Sequence, residues 1–144
     1  MAKADKEFDY LLDEQVGFLL RQVNQRHLSI FSNSIKDLTP TQFATLAKMR
    51  EIGPVSQNDL GRQTAMDAAT MKGVVDRLSK RGLVGTKPDP TDQRRILVEL
   101  KPQAYSLLDE MLERAHQITE DTLAPLKMAE QKQLIGLLKK LLER

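Results

Sequence analysis

The 144-residue chain has no cysteine and no tryptophan, and only 4% of it is aromatic. Without a thiol there is no disulfide, no thiolate metal site, no cysteine nucleophile and no thiol redox sensor. Imidazole is scarce as well. The two histidines, His27 and His116, stand in no spacing typical of metal ligation or of a catalytic triad. No glycine-rich phosphate loop occurs. The adjacent acids Asp109 with Glu110, and Glu120 with Asp121, would point in different directions on a helix, which suits solvated faces rather than a carboxylate pair. These shortages lead us to expect no enzyme, no catalytic residue, no metal and no cofactor. No apolar run approaches the roughly 20 residues of a membrane span. The opening MAKADKEFDY carries charges of both signs and no hydrophobic region, so a cytoplasmic protein is expected.

What is present is a soluble composition, 40% apolar and 29% charged, on a chain long enough to bury one core. The net charge of +2 is too balanced to suggest a polyanionic partner until its distribution is considered. Residues 72–101 hold eight basic and four acidic side chains, whereas the other segments are near neutral. Clustered basic charge between neutral flanks is the footprint expected where phosphates are contacted.

Apolar spacing predicts a long amphipathic helix from Phe8 through Leu11, Leu12, Val16, Leu19, Leu20 and Val23 to Ile30 and Phe31. Thr39, Pro40 and Gln42 form a capping-box signature for a second helix, which Gly53 and Pro54 end. Ser56 with Asp59 predicts a short third helix to about Gln63. Asp67 predicts the cap of a fourth, with Met71, Val74, Val75 and Leu78 inward and Gly82 at its end. The period then changes to two. Leu83–Lys87, the turn chemistry of PDPTDQ and the alternation through Ile96, Val98 and Leu100 predict a two-stranded hairpin. Pro102 opens a fifth helix to about Thr122, and a leucine-rich sixth follows Pro125. There is no internal repeat, low-complexity tract or long linker.

A short helix, a tight connection, a second helix and a hairpin, in that order over residues 54–100, specify a winged helix-turn-helix. The expected fold is therefore mainly α with a small β-hairpin wing: a winged helix-turn-helix head plus a helical region. Side chains near the start of the fourth helix would reach base edges in a major groove, which makes Ala68, Ala69, Thr70, Lys72 and Gly73 the candidate readers. Gly73 costs its helix about 1 kcal/mol against alanine. It serves either close approach to the groove or a packing notch. In the wing, Asp92 can orient Arg94 toward an electronegative minor groove, with Arg95 doubling the charge.

The stretch MDAATMKGVVDRLSKRGLVGTKPDPTDQRRILVEL resembles the MarR family of bacterial regulators, which join a recognition helix containing DRL to a DxR wing. The resemblance implies one MarR-type domain over residues 1–144, with dimerisation helices at 1–36 and 102–144 and the DNA-binding region at 39–100. It implies a homodimer on pseudo-palindromic double-stranded DNA. Groove-reading positions fall on Ala69, Thr70, Lys72 and Gly73, backbone-positioning ones on Ser56, Gln57 and Arg77, and the wing pair on Asp92 and Arg94. Lys72 and Gly73 depart from the threonine and arginine of many relatives, Gln93 replaces a usual wing arginine, and Lys101 a capping threonine. The operator sequence is therefore not carried over. GFLLRQVNQRHLSIF, LTPTQFATL and SQNDLGRQTAMDAATMKG are similar to members that control breakdown of aromatic acids. This implies a repressor released by an aromatic acid or its coenzyme A thioester, bound in a pocket lined by helices one and two, where Arg26 and His27 would meet an anionic ligand. An activator of the same fold, and a winged module that binds protein instead of DNA, are the alternatives.

Overall fold

A computed structural model of the chain describes residues 8–143. They fall into two compact units, one made of 8–33 with 118–143 and the other of 34–117. In chain order the elements are α1 (Val16–Ser34), α2 (Pro40–Ile52), β1 (Val55–Ser56), α3 (Gln57–Gln63), α4 (Ala68–Lys80), β2 (Val84–Asp89), β3 (Asp92–Leu100), α5 (Pro102–Leu123) and α6 (Met128–Leu141). No described helix is long and apolar enough to cross a membrane.

The head unit, residues 34–117, is built on strong local signals. Thr39 Oγ1 accepts from the Gln42 N–H at 3.2 Å and Gln42 Oε1 accepts from the Thr39 N–H at 3.1 Å, closing the predicted capping box at the start of α2. Asp67 Oδ1 takes the Thr70 N–H at 2.7 Å and starts α4. Gly82, at φ 74°, follows the end of α4 in the left-handed region that glycine occupies without a Cβ penalty. The inward stripe of α4, Met71, Val74, Val75 and Leu78, is buried together with Leu46 and Met49 of α2, Leu60 of α3, and Leu83, Val84 and Val98. Gly61 lets α3 and α4 close up: a Cβ there would stand 3.0 Å from the Met66 carbonyl oxygen and 3.7 Å from the Met71 Cβ. Between the two helices Ala65 holds φ 56°, a left-handed backbone on a residue with a Cβ.

Two expectations are corrected and one is extended. The first helix does not begin at Phe8. Residues Phe8–Leu11 are irregular, a 3₁₀ turn covers Leu12–Glu14, Gln15 is extended, and α1 starts at Val16. That start places Gly17 in the first turn, where its poor helix propensity costs least. The expected two-stranded hairpin is present and a third strand joins it in the order β1-β3-β2, because Val55 and Ser56 pair with Val98 and Leu97. Both strands of the hairpin also run into the sequence expected to turn, leaving only Pro90 and Thr91 as the loop. Pro88 is tolerated because β2 is an edge strand, where a missing N–H breaks no ladder bond.

In the unit formed by residues 8–33 and 118–143, Phe31 and Ile118 are buried but no residue of α6 is. Val16, Leu19, Leu20 and Val23 of α1 are exposed, as are Ile135, Leu137 and Leu141 of α6.

Candidate nucleic-acid interface

On α4 the buried stripe leaves Ala68, Ala69, Thr70, Lys72 and Arg77 exposed, with Gly73 half-buried beside them. A continuous polar and small-residue face therefore begins at a capped helix N-terminus. Lys72 is tied to Asp76 one turn on, Nζ to Oδ2 at 3.1 Å, so its charge is partly engaged within the helix. Gly73 makes room for an arginine. A Cβ at that position would come within 3.2 Å of Arg77 Nη1, and no other helix lies within 4 Å of it. The glycine is not a notch for another helix, and it leaves room for the Arg77 guanidinium to lie back along the exposed face of α4.

Ser56 caps α3, its Oγ accepting from the Asp59 N–H at 3.3 Å, and Gln57 stands half-buried at the first position of that helix. At the wing, Asp92 Oδ1 accepts from the Arg94 N–H at 3.0 Å and from Arg94 Nε at 3.3 Å. Arg94 is thereby aimed while 92% of its side chain stays in solvent. Arg95 is different, since it is 48% exposed and bonded to Asp59 Oδ2 on α3 at 3.2 Å. The Asp89 carboxyl is held below the usual aspartate range by the Thr91 N–H and hydroxyl, at 2.8 and 2.7 Å, and then by the charge of Arg95. Asp67 is lowered in the same way by its hydrogen bonds from Thr70. Sequence reasoning missed Asp59 as a partner, because nothing local links it to a residue 36 positions away.

Within the other unit, a largely apolar cleft of about 630 Å³ is lined by Leu20, Val23, Asn24, Arg26 and His27 of α1, Thr119, Thr122 and Leu123 of α5, and Leu134, Ile135 and Leu138 of α6, with Pro125 and Leu126 between. Arg26 donates to the carbonyls of Thr122 (2.6 Å) and Asp121 (2.9 Å), satisfying the open end of α5. Thr122 Oγ1 gives its one proton to the Ile118 carbonyl at 2.8 Å, so the 2.9 Å contact with His27 Nδ1 has the ring as donor. Asn24, Thr119 and Thr122 were not among the residues expected here.

A head of this kind, with a short helix, a second capped helix whose N-terminal face is exposed and a wing beside it, matches the MarR family model over residues 38–96. The chain is 43% identical, over 93% of its length and 86% of the relative's, to the HTH-type transcriptional repressor NicR of Pseudomonas putida. The chain belongs to the MarR family. Two solved structures superpose closely: a probable transcriptional regulator from Pseudomonas aeruginosa (53% identity, TM-score 0.88, covering 91% of this chain and 99% of that one) and BpsR of Bordetella bronchiseptica (40%, 0.90, 95% and 99%). DNA binding by BpsR is regulated by 6-hydroxynicotinic acid. This MarR-family chain is accordingly a transcriptional regulator of winged helix-turn-helix fold.

Proposed function

We propose that this MarR-family regulator is a homodimeric repressor that leaves its operator when a small aromatic acid binds. The observation that carries the DNA-binding half is the exposed N-terminal face of α4, Ala68 to Gly73, next to a wing whose Arg94 is aimed by Asp92 and otherwise open to solvent. A helix of that face fits a B-form major groove, and a guanidinium at a hairpin tip suits the narrow minor groove. Dimerisation is supported by the apolar residues that α1 and α6 leave in water outside the cleft, Val16, Leu19, Leu137 and Leu141 among them, a face that a soluble monomer rarely keeps. A dimer would bind half-sites about one helical turn apart.

The cleft walled by α1, α5 and α6 has the volume of a small-ligand site and, with Arg26 and His27 on its wall, the chemistry for a carboxylate on a flat apolar ring. The 6-hydroxynicotinic acid that regulates BpsR is a compound of that kind. Binding need only shift a two-state equilibrium, and a coupling of about 1–3 kcal/mol changes operator affinity roughly 5- to 150-fold.

The test is a gel-shift titration on the promoter region of the chain's own gene, with and without 6-hydroxynicotinic acid, and with a parallel thermal-shift series of hydroxybenzoic acids and aryl thioesters. Affinity should fall by about 10³ to 10⁵ between roughly 50 and 200 mM salt if six to ten phosphates are contacted. An effector at 100 times its Kd should stabilise the protein by about 2.7 kcal/mol. Salt-insensitive binding, or none, sinks the DNA reading. Stabilisation by thioesters alone replaces the free acid as effector, and stabilisation by none of the compounds removes the aromatic effector.

A further inference from the structure

Arg95 looks, from its position next to Arg94, like a second wing cation offered to DNA, and its contacts argue otherwise. Its Nη2 is bonded to Asp59 Oδ2 on α3 at 3.2 Å, and its Nε approaches Asp89 Oδ2 of the hairpin at 3.9 Å. Each carboxylate has a second partner, although Asp59 is 41% exposed. Asp59 Oδ1 is taken by Arg62 of the same helix, and Asp89, 11% exposed, is fixed by both donors of Thr91. Arg95 thus spans two anchored anions on two different elements.

The sheet leaves a reason for such a span. On its β1 side, β3 is paired only at Leu97 and Val98. From Ile96 outward that side of the wing has no strand beside it, and Ile96 itself is 63% exposed. The Asp59–Arg95 pair is the contact that continues the tie between wing and head past the end of the ladder. An arginine has five donors in a rigid fork, which suits it to joining two acids at once.

We propose that Arg95 is a positioning residue, clamped by Asp59 to α3, that sets where the wing carries Arg94. The proposal rests on the DNA-binding reading. It makes an acidic residue on the DNA-binding head an asset, which reverses the sign that simple charge counting assigns. If Arg95 contacted phosphate, removing the negative charge at Asp59 would release it and strengthen binding. If Arg95 is a clamp, removing Asp59 loosens the wing and weakens binding.

The experiment measures affinity of the full chain for labelled mixed-sequence duplex DNA across a salt series, for the unaltered protein, Arg94→Ala, Arg95→Ala, Asp59→Asn, Asp59→Glu and the double variant Asp59→Asn/Arg95→Ala. Arg94→Ala should flatten the slope of log K against log salt by about 0.9 for each phosphate that is no longer neutralised. Arg95→Ala and Asp59→Asn should each weaken binding roughly two- to ten-fold, as expected for two half-exposed ion pairs per dimer, with the slope unchanged. The double variant should be no weaker than either single one, the signature of two residues acting as a unit. Asp59→Glu, which keeps the carboxylate, should recover most of the affinity. Tighter binding by Asp59→Asn, or a flattened slope for Arg95→Ala, overturns the proposal. Amide exchange at the wing residues Thr91–Arg94 of the free protein decides it independently of DNA: exchange should quicken in Arg95→Ala and Asp59→Asn but not in Arg94→Ala, and equal protection in all of them refutes the clamp. Should the unaltered protein bind no duplex, the functional reading falls separately and this exchange result alone judges the clamp.

Discussion

Replacing Gly73 by alanine should stabilise the protein and weaken its hold on DNA at the same time. A glycine in a helix interior costs about 1 kcal/mol against alanine. The added Cβ would meet only the tip of Arg77, Nη1 at 3.2 Å with Cζ and Nη2 at 3.9 and 4.0 Å. That tip ends a flexible, exposed side chain, so it can swing aside with little strain, and most of the propensity gain should survive. For a chain of this length about 1 kcal/mol corresponds to a rise in Tm of roughly 3 °C. The displaced guanidinium then no longer lies along the face of α4. Removing one charge-assisted hydrogen bond of about 1.5 kcal/mol would weaken binding roughly ten-fold. Thermal melting and fluorescence anisotropy on Gly73→Ala, Arg77→Ala and the double variant separate the two effects. The double variant should keep the stability gain and bind no worse than Arg77→Ala, because the glycine acts through the arginine. A lower Tm for Gly73→Ala would mean that the glycine is packed against something other than Arg77. A higher Tm with unchanged affinity would refute the link between the arginine's pose and binding.

Ala65→Gly should raise the melting temperature by an amount equivalent to about 0.5–1 kcal/mol, since Ala65 sits at φ 56° where a Cβ is penalised; an unchanged or lower Tm would show that the turn is unstrained. On the proposed dimer, Leu137→Glu, on the bare face of α6, should shift sedimentation toward monomer without loss of helical signal, and a variant that sediments like the parent would remove this face from the dimer contact. Asp67 and Asp89 have lowered values in the fold, so the stability they lend is complete above their unfolded value of about 4 and disappears as pH falls through the lower folded one. Asp67→Asn/Asp89→Asn should therefore show a shallower loss of Tm below about pH 4 than the parent, whereas parallel curves would mean that neither carboxylate is linked to folding.

The parts of the fold legible in the sequence are those with local causes. Met71, Val74, Val75 and Leu78 repeat at helical spacing and are all buried, and the Thr39 and Asp67 caps sit where the residue types place them. What escapes a reading of the sequence depends on distance or on context. Two residues are too few to show a strand period, so β1 is visible only through its partner in β3. PDPTDQ reads as turn throughout, because only the sheet order reveals that Pro88 lies on an edge. In the candidate site, the face of α4 and the Asp92–Arg94 pair follow from spacing, while the room that Gly73 leaves for Arg77 does not. Adjacency in sequence groups Arg95 with Arg94, although their side chains have different partners.

These pairings also relocate the basic excess of residues 72–101. Its four acids are all engaged, Asp76 by Lys72, Asp89 by Arg95, Asp92 by Arg94 and Glu99 by Lys87. The surplus that remains falls on Arg77, Lys80, Arg81 and Lys101, and Arg81 already donates to the Asp37 carbonyl at 2.6 Å. Lys80 and Arg81 stand at the C-terminal end of α4, where cations also favour the helix dipole, while the Arg77 guanidinium lies back beside Gly73. On the DNA-binding reading, charge then serves phosphate positioning at the far end of the recognition helix. The base edges are left to Ala68, Ala69 and Thr70 at its start, small side chains suited to thymine methyl groups and single hydrogen bonds rather than to bidentate guanine contacts. Sequence preference should accordingly be modest per position and should rest on how closely the capped start of α4 enters the groove, which makes the placement of the head by its second anchor, the wing, as important to specificity as any one reading residue.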